Sequence, residues 1–366
     1  MLFSTIDMDI LRLLRWCRYI RANDLARTFS DAEVRNLAAL ALIKLHKPSG
    51  AYVLTVKGNR LLDDAMAGLP PATPPAYKSA DTLRRLHLSE ILCMAYTAGL
   101  QVFTTATVEL ANDLSLFLPA IARGRGTNPW GSTRVAAIVH LGDLLCAVHY
   151  VCPGIGRIAL NDELAAFHNN TAHLPEMQRA VVFSGASYTD ILAELESTET
   201  ASDAKLTSYG DAYRLLKLPV FLVPCDAAGT LQLRSLSVPD YRRKLTQAAL
   251  KARYAPPPKS FPLCDAWFHG VPFLMAADMD LRRIDASIDA ARAQGFTQIS
   301  LAALPSQCEA VLYPRYRDTV KACVFALTNA TLTQVLDSSL PPYAPPDLPF
   351  YTSEGSVVDV PPIQVS

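Results

Sequence analysis

Two strongly apolar segments stand on either side of the dipeptide Gly142-Asp143: TRVAAIVHL before it and LLCAVHYV after it. Each segment has the length of a β-strand, and a Gly-Asp pair between two such runs is typical of a β-hairpin. Both segments are too apolar for the edge of a sheet. The sequence therefore predicts a hairpin at the centre of a sheet, around which the rest of the domain must fold.

Helical and strand patterns alternate on both sides of this hairpin, which is typical of an α/β layer. The predicted helices are the one that contains RRLHLSE and ends at Gly99, then LNDELAAFHN, YTDILAELES, GDAYRLLK and VPDYRRKLTQAALKARY, and the predicted strands between them are AVVFSG and PVFLVP. Beyond the proline-rich segment YAPPPKSFP, the sequence predicts a hairpin in DAWFHGVPFLMAAD and an amphipathic helix in DLRRIDASIDAARAQ. It then predicts two strands, FTQISLAAL and KACVFAL, and a last helix in ATLTQVLD. We expect this part to be a second, smaller α/β unit or an extension of the first sheet.

The first seventy residues have a different pattern. Apolar residues from Ile10 to Ile20 recur at helical spacing, with Arg12, Arg15 and Arg18 between them, which predicts a helix with a basic outer stripe. A second short helix, NDLARTF, is followed by a third that opens at Ser30 with the capping box S-D-A-E. Two alternating runs across the turn KPSG predict a hairpin, and Thr55 can cap a closing helix. Three helices followed by a hairpin is the order of a winged helix-turn-helix.

A winged helix-turn-helix predicts contacts with double-stranded DNA. The N-terminal part of the third helix would offer Arg35 and Asn36 to base edges. The hairpin tip would offer Lys47, Ser49 and the amide of Gly50 to the phosphate backbone. Two flanking cations complete the candidate set, namely Arg27 and Lys57. Residues 1–70 carry ten Lys or Arg against seven Asp or Glu, a mild bias that leaves protein binding by the winged helix as an alternative.

Proline-rich segments define the predicted domain boundaries. The fold class is α/β (α+β), with a winged helix-turn-helix, an α/β core and a small C-terminal α/β extension. The predicted parts are the winged helix at 1–68, a linker at 67–78 with four prolines among AGLPPATPPAYK, the core at 79–253, the C-terminal unit at 263–337 and an irregular tail at 338–366.

The order winged helix, linker, RRLHLSE helix and central hairpin ahead of α/β units resembles the replication-relaxation family, over roughly residues 8–250. This resemblance implies a protein of plasmids or integrative elements, related to mobilisation relaxases, with a restriction-endonuclease-like core. Such cores place an Asp in one hairpin arm and a Glu in the other, to hold a divalent cation that activates water. Here the arms carry Ser132-Thr133-Arg134 and Ala147-Val148-His149-Tyr150 instead.

This departure from the family pattern argues against catalysis. Turn formation explains Asp143, and Glu90 alone is a weak candidate, because one carboxylate does not make a metal site. His140 and His149 lie on paired arms, where they could face each other across the hairpin; we expect both to be structural. The glycines of PGIGR and GRG lack the flanking strand and helix of a nucleotide-binding loop. We therefore expect no catalytic residue, no metal and no cofactor.

Composition sets the remaining limits. The 34 basic residues balance the 34 acidic ones, so any nucleic-acid contact must be local. Eight scattered cysteines without a CxxC pair predict buried thiols, and with no leader or membrane span in the sequence we expect a cytoplasmic protein. The leading hypothesis is a non-catalytic, DNA-binding accessory protein of a mobile element that recruits a relaxase or replication protein. A metal-dependent nickase and a transcriptional regulator are the alternatives, and a homodimer stays open.

Overall fold

The computed structural model describes residues 2–72, 79–104, 114–122, 135–152, 160–172, 177–197, 207–261, 263–316, 321–340 and 350–358. Over these residues the chain is mixed α/β, with helices and several sheets. It divides into two compact units. The first contains Met1–Glu109, Leu116–Asn128 and Pro342–Ser366, and the second contains Leu110–Ser115 and Pro129–Pro341.

The elements follow in chain order. Up to residue 122 they are β1 (Leu2–Phe3), α1 (Thr5–Cys17), β2 (Ile20–Arg21), α2 (Ala22–Thr28), α3 (Asp31–Ala39), β3 (Ile43–His46), β4 (Ala51–Leu54), α4 (Val56–Ala65), α5 (Ser79–Thr97), β5 (Ser115–Phe117) and α6 (Pro119–Ala122). The second unit then contributes β6 (Ala137–Leu141), β7 (Leu144–Tyr150), α7 (Leu160–Asn170), β8 (Gln178–Gly185), α8 (Tyr188–Glu196), α9 (Tyr209–Leu215), β9 (Val220–Pro224), α10 (Ala227–Leu236), α11 (Tyr241–Leu250), β10 (Ala266–Phe268), β11 (Val271–Met275), α12 (Leu281–Ala293), β12 (Gln298–Ala303), α13 (Pro305–Gln307), α14 (Tyr313–Tyr316), β13 (Lys321–Ala326) and α15 (Asn329–Ser339). Two strands of the first unit complete the order: β14 (Phe350–Thr352) and β15 (Val357–Val358).

The predicted order of three helices, a hairpin and a closing helix is present in the first unit. The capping box at Ser30 is confirmed: its hydroxyl accepts from the Glu33 amide, and the Glu33 carboxylate accepts from the Ser30 amide. Thr55 caps α4 by accepting from the amide of Gly58. Strands β2, β4 and β3 form one antiparallel sheet in that order. The local sequence signals therefore determine where these elements begin.

The basic outer stripe predicted for α1 is wrong at Arg15. Its side chain is buried, where Nε donates to the carbonyl of Pro70 and the guanidinium also meets Asn59 and Asp63. These acceptors come from residues 59–70, and a helical period alone does not reveal them. Arg15 therefore fastens α1 to the end of α4 and the residues that follow.

Helix α5 belongs to the first unit, which differs from the predicted boundary at residues 67–78. Leu86 packs with Tyr19, Ala51 and Val53 in one buried cluster, and the Tyr96 hydroxyl donates to Asp9 on α1 at 3.0 Å. Helix α5 joins the first unit because its apolar residues are buried against the sheet β2-β4-β3 and helix α1. Residues 73–78 of the predicted linker lie outside the described part.

The predicted irregular tail, 338–366, contains regular structure. Helix α15 continues to Ser339, and strands β14 and β15 pair with each other and with β1 in a three-stranded antiparallel sheet. Leu2 pairs with Thr352 and Phe3 with Tyr351. The two ends of the described chain therefore meet in the first unit. Residues 341–349, part of the predicted tail, lie outside the described residues.

The second unit contains the predicted central hairpin. Strands β6 and β7 pair antiparallel across a turn at Gly142, whose φ of +61° suits glycine. Strand β8 is parallel to β7, and β9 is parallel to β8. The C-terminal layer repeats this order, with β10 antiparallel to β11 and then β12 and β13 parallel.

The two layers of this second unit share one core, whereas the sequence predicted a boundary at residues 254–262. A single buried cluster contains Val181 and Leu222 of the first layer and Leu274 and Leu301 of the second. The layers are joined because the strands of both are apolar on the faces that meet this cluster. The C-terminal layer, predicted as a unit at 263–337, is therefore one half of a larger body.

Two further observations concern the whole described chain. Within it, no helix is both long enough and apolar enough to cross a lipid bilayer. Six of the eight cysteines are buried, Cys152 is half-buried and Cys323 is exposed on β13, and all eight are free thiols.

Candidate nucleic-acid interface

Helix α3 presents two of the predicted DNA-binding residues to solvent. Val34 and Leu37 are buried beneath it, which turns Arg35 and Asn36 outward. The Arg35 Nε donates to the carbonyl of Asp31 one turn earlier at 3.1 Å, so its stem is held along the helix. The side chain of Asn36 has no hydrogen bond to any residue that the structure describes. Both can reach a ligand that approaches α3.

The β3–β4 hairpin presents Lys47 at its tip. The pairs Ile43–Leu54 and His46–Ala51 set its register, and Gly50 makes the return with a φ of +63°. The amide of Gly50, predicted to face phosphate, instead donates to the carbonyl of His46 at 3.0 Å. The Ser49 hydroxyl lies 2.8 Å from His46 Nδ1. Of the three predicted groups at this tip, the exposed Lys47 ammonium is therefore the one that can contact a phosphate.

The other two predicted cations have partners within the protein. Lys57 Nζ donates to the carbonyl of Leu40 at 3.0 Å, beside the C-terminal end of α3, where a positive charge is favourable. Arg27 forms an ion pair with the buried Asp24 on its own helix. Both side chains are exposed, so their charges add to the positive electrostatic potential of this region. Each is already bound to a group of the protein itself.

Sequence reasoning missed two cations of the same region. Lys44 lies on β3 and Arg60 on α4, and both are exposed. With Arg35, Lys47 and Lys57 they give residues 35–62 five basic residues and not one acidic residue. We call residues 35–62 the basic segment. The sequence shows this run without acidic residues. The net charge of residues 1–70 hides it, because that sum includes the acidic residues on either side.

Helix α3, the β3–β4 hairpin and α4 each expose at least one cation of the basic segment, and such groups can contact phosphates. Cations of this kind supply the salt-dependent, sequence-independent part of DNA affinity. Sequence preference requires groups that can reach base edges, and Arg35 and Asn36 are side chains of that type on α3.

The carboxylate of Glu90, the weak catalytic candidate, already has a partner inside the protein. It is buried in α5 and forms an ion pair with Arg21 on β2. Burial, with the positive charge of Arg21 nearby, lowers the pKa of the neighbouring His87 to about 4. Over the ranges that the structure describes, no three His, Cys, Asp or Glu side chains gather where they could hold a metal ion. Glu90 is therefore the counter-ion of Arg21.

The two histidines of the central hairpin do not face each other. His140 pairs with Leu145, and its Nε2 lies 2.9 Å from the carbonyl of Gly142. His149 lies next to β8, with its Nδ1 3.5 Å from the carboxylate of Glu163 on α7. Sequence reasoning missed this buried partner, which comes from the helix after the hairpin. Three predicted features lie outside the described residues: the start of the first hairpin arm at 132–134, PGIGR at 153–157 and GRG at 124–126.

A buried charge network lies at the end of β11, where sites of α/β sheets are often found. Asp278 is fully buried and accepts hydrogen bonds from the Tyr241 hydroxyl at 2.8 Å and from Arg242 Nε at 2.7 Å. Arg283 reaches the same oxygen at 3.3 Å and also pairs with Asp265 at 3.0 Å. These two guanidinium groups hold the pKa of Asp278 at about 2 against the effect of burial. The carboxylate is saturated by partners, so the network is structural.

Comparison of the chain with protein-family models, with curated proteins and with solved structures found no match in any of the three.

Proposed function

We propose that this protein binds double-stranded DNA sequence-specifically through a winged helix-turn-helix formed by α1–α3 and the β3–β4 hairpin. The observation that carries the proposal is the basic segment, residues 35–62, which holds five exposed cations and no acidic residue. The acidic residues of α3 and α4 lie just outside this segment, at Asp31, Glu33, Asp63 and Asp64. In this arrangement α3 is the recognition helix and the hairpin is the wing. Arg35 and Asn36 read bases, while Lys44 and Lys47 contact phosphates.

The second unit is a non-catalytic body in this proposal, and its fold is of the restriction-endonuclease-like kind. A hairpin followed by a helix and a parallel strand, seen in β6, β7, α7 and β8, supports that assignment. The buried ion pair of Glu90 and the saturated Asp278 argue against the nickase alternative, because neither carboxylate is open to a cation. In this proposal the body recruits a relaxase or replication protein, and the mobile-element context is what the family resemblance implies.

Selection from a pool of random duplexes tests sequence-specific binding. The full chain should enrich one motif, and Arg35→Ala or Asn36→Ala should lose preference at one or two positions within it, at about 1–3 kcal/mol for each base contact. Lys259→Ala, which removes an exposed lysine of the second unit, should enrich the same motif as the parent. A pool that stays random after selection would contradict the proposal.

Incubation with supercoiled plasmid and manganese tests the absence of catalysis. The plasmid should stay uncut, because within the described ranges no three His, Cys, Asp or Glu side chains lie together where they could hold a divalent cation. Nicking that disappears in Glu90→Gln would restore the nickase alternative.

A further inference from the structure

A cavity of about 490 Å³ lies in the second unit, against the sheet β10–β13. This volume falls within the range of roughly 300–1,000 Å³ that small-molecule sites occupy. Its walls come from three places: the sheet itself, the turn Lys251–Arg253 that follows α11, and the beginning of α15. None of these residues belongs to the DNA surface proposed above.

The floor of the cavity is aromatic. Strand alternation turns Leu274, Leu301 and Val324 toward the buried core and leaves Phe273, Ala302 and Phe325 on the opposite face.

A third ring completes this floor. Phe268 packs edge-on against Phe273 at 6.1 Å and against Phe325 at 6.0 Å between ring centroids. Phe325 nonetheless keeps 42% of its surface exposed, which is unusual for phenylalanine in a strand. An exposed ring at the base of a cavity offers a stacking surface for another planar group.

The rim of the cavity is cationic. Lys251 and Arg253 both line it and are exposed, and neither forms an ion pair with any residue in the described ranges. Thr328 and the first turn of α15 form the opposite side, and a helix N-terminus favours negative charge. No acidic side chain belongs to the described lining. The cavity therefore combines an apolar aromatic base with a positively charged mouth.

We propose that this cavity binds a small molecule made of a planar aromatic ring and an anionic group. The ring stacks on Phe325 and Phe268, and the anion lies between Lys251, Arg253 and the start of α15. A mononucleotide and an aromatic carboxylate share this chemistry. The proposal rests on the second unit alone and stands whether or not the first unit binds DNA.

Isothermal titration of the full chain with matched probes tests the site and distinguishes the two sources. AMP is compared with adenosine and with inorganic phosphate, and 2-naphthoate is compared with 2-naphthamide. At least one anionic aromatic probe should bind with one-to-one stoichiometry. Its uncharged counterpart should bind about tenfold or more weakly, since a charge-assisted contact is lost. The probe that binds identifies the source, and the absence of saturable binding by both would overturn the proposal.

Four variants locate the binding on the cavity. Phe325→Leu keeps an apolar side chain without a ring and should weaken binding by about three- to tenfold. Lys251→Gln should weaken binding of the anionic probe and leave binding of its uncharged counterpart unchanged. Ala252→Trp, at an exposed position of the lining, should obstruct the mouth and abolish binding. Arg243→Gln, an exposed cation of α11 outside the lining, should bind as the parent does. Equal binding by all four would overturn the site.

Discussion

The basic segment of the first unit and the Asp278 network of the second unit use charge in opposite ways. Around Asp278, two arginines and a tyrosine surround one buried carboxylate, and every charge has a counter-charge within 3.3 Å. In residues 35–62, five cations are exposed and the segment has no acidic residue to balance them. The overall charge of zero hides this difference.

The comparison distinguishes two kinds of charge. Those of the Asp278 network stabilise the fold, whereas those of the basic segment are available to bind an external anion. A buried pair has already lost its water, so removing one member leaves an uncompensated charge. An exposed lysine keeps its water and adds little to stability, so an unbalanced group of them is better explained by an external anion. The two regions should therefore respond to different measurements: the network to denaturation, the basic segment to DNA and salt.

The largest effect should come from Asp278→Ala. This change leaves Arg242 and Arg283 without their shared carboxylate and should lower the free energy of unfolding by about 3–5 kcal/mol in urea titration. The control is Asp289→Ala, whose carboxylate is exposed and pairs with Arg292 on the same helix, with an expected change within about 0.5 kcal/mol. Equal effects of the two variants would show that the network is not buried as described.

A smaller loss of stability is expected for Arg15→Met. Among the arginines of the first unit, Arg15 is buried with partners, whereas Arg60 is exposed in the basic segment. The variant keeps an apolar stem but leaves the carbonyl of Pro70 and the side chain of Asn59 without their donor. The free energy of unfolding should fall by about 2–3 kcal/mol. Arg60→Met, in the basic segment, should change it by less than about 0.5 kcal/mol. A variant at Arg15 that weakens DNA binding without lowering stability would break the comparison.

How far the sequence predicts this molecule depends on the range of the interaction. The turn at Gly142 and the capping box at Ser30 follow from neighbouring residues, and both are confirmed. The burial of Arg15 depends on acceptors some 44 to 55 residues away, and the Glu163 partner of His149 comes from a different element. Periodicity carries no information about such pairs, so the sequence predicts a boundary at residues 67–78 although α5 packs against α1.

The same limit applies to the candidate sites. Arg35, Asn36 and Lys47 were predicted from the order of elements, and the structure places all three at the surface. The aromatic floor of the cavity needs β12 and β13 in register, with Ala302 opposite Phe325, and no local pattern in the sequence reveals that pairing. Sites built on one helix or one hairpin are therefore easier to predict than sites built across a sheet.

A pH titration should show a still smaller effect in the first unit. The folded-state pKa of His87 is about 4, below its ordinary value of 6.5, so between these values the unfolded chain binds the extra proton. Stability should therefore be complete above pH 6.5 and decline as the pH falls toward 4, by under about 1 kcal/mol between pH 7 and 6. His87→Gln should flatten this part of the curve in urea titrations. An unchanged slope would mean that His87 is not buried as a neutral group.

The salt dependence of duplex binding tests the central claim most directly, namely that the basic segment is the DNA-binding surface. Fluorescence anisotropy with a labelled duplex gives the slope of log K against log salt, and each lost phosphate contact should lower its magnitude by about 0.9. Lys44→Ala/Lys47→Ala should therefore lower it by about 2 while leaving the urea midpoint unchanged. The matched control Lys217→Ala/Lys259→Ala removes two exposed lysines from the second unit and should keep the parent slope. Parental slopes in both double variants, or an equal reduction in both, would contradict the account.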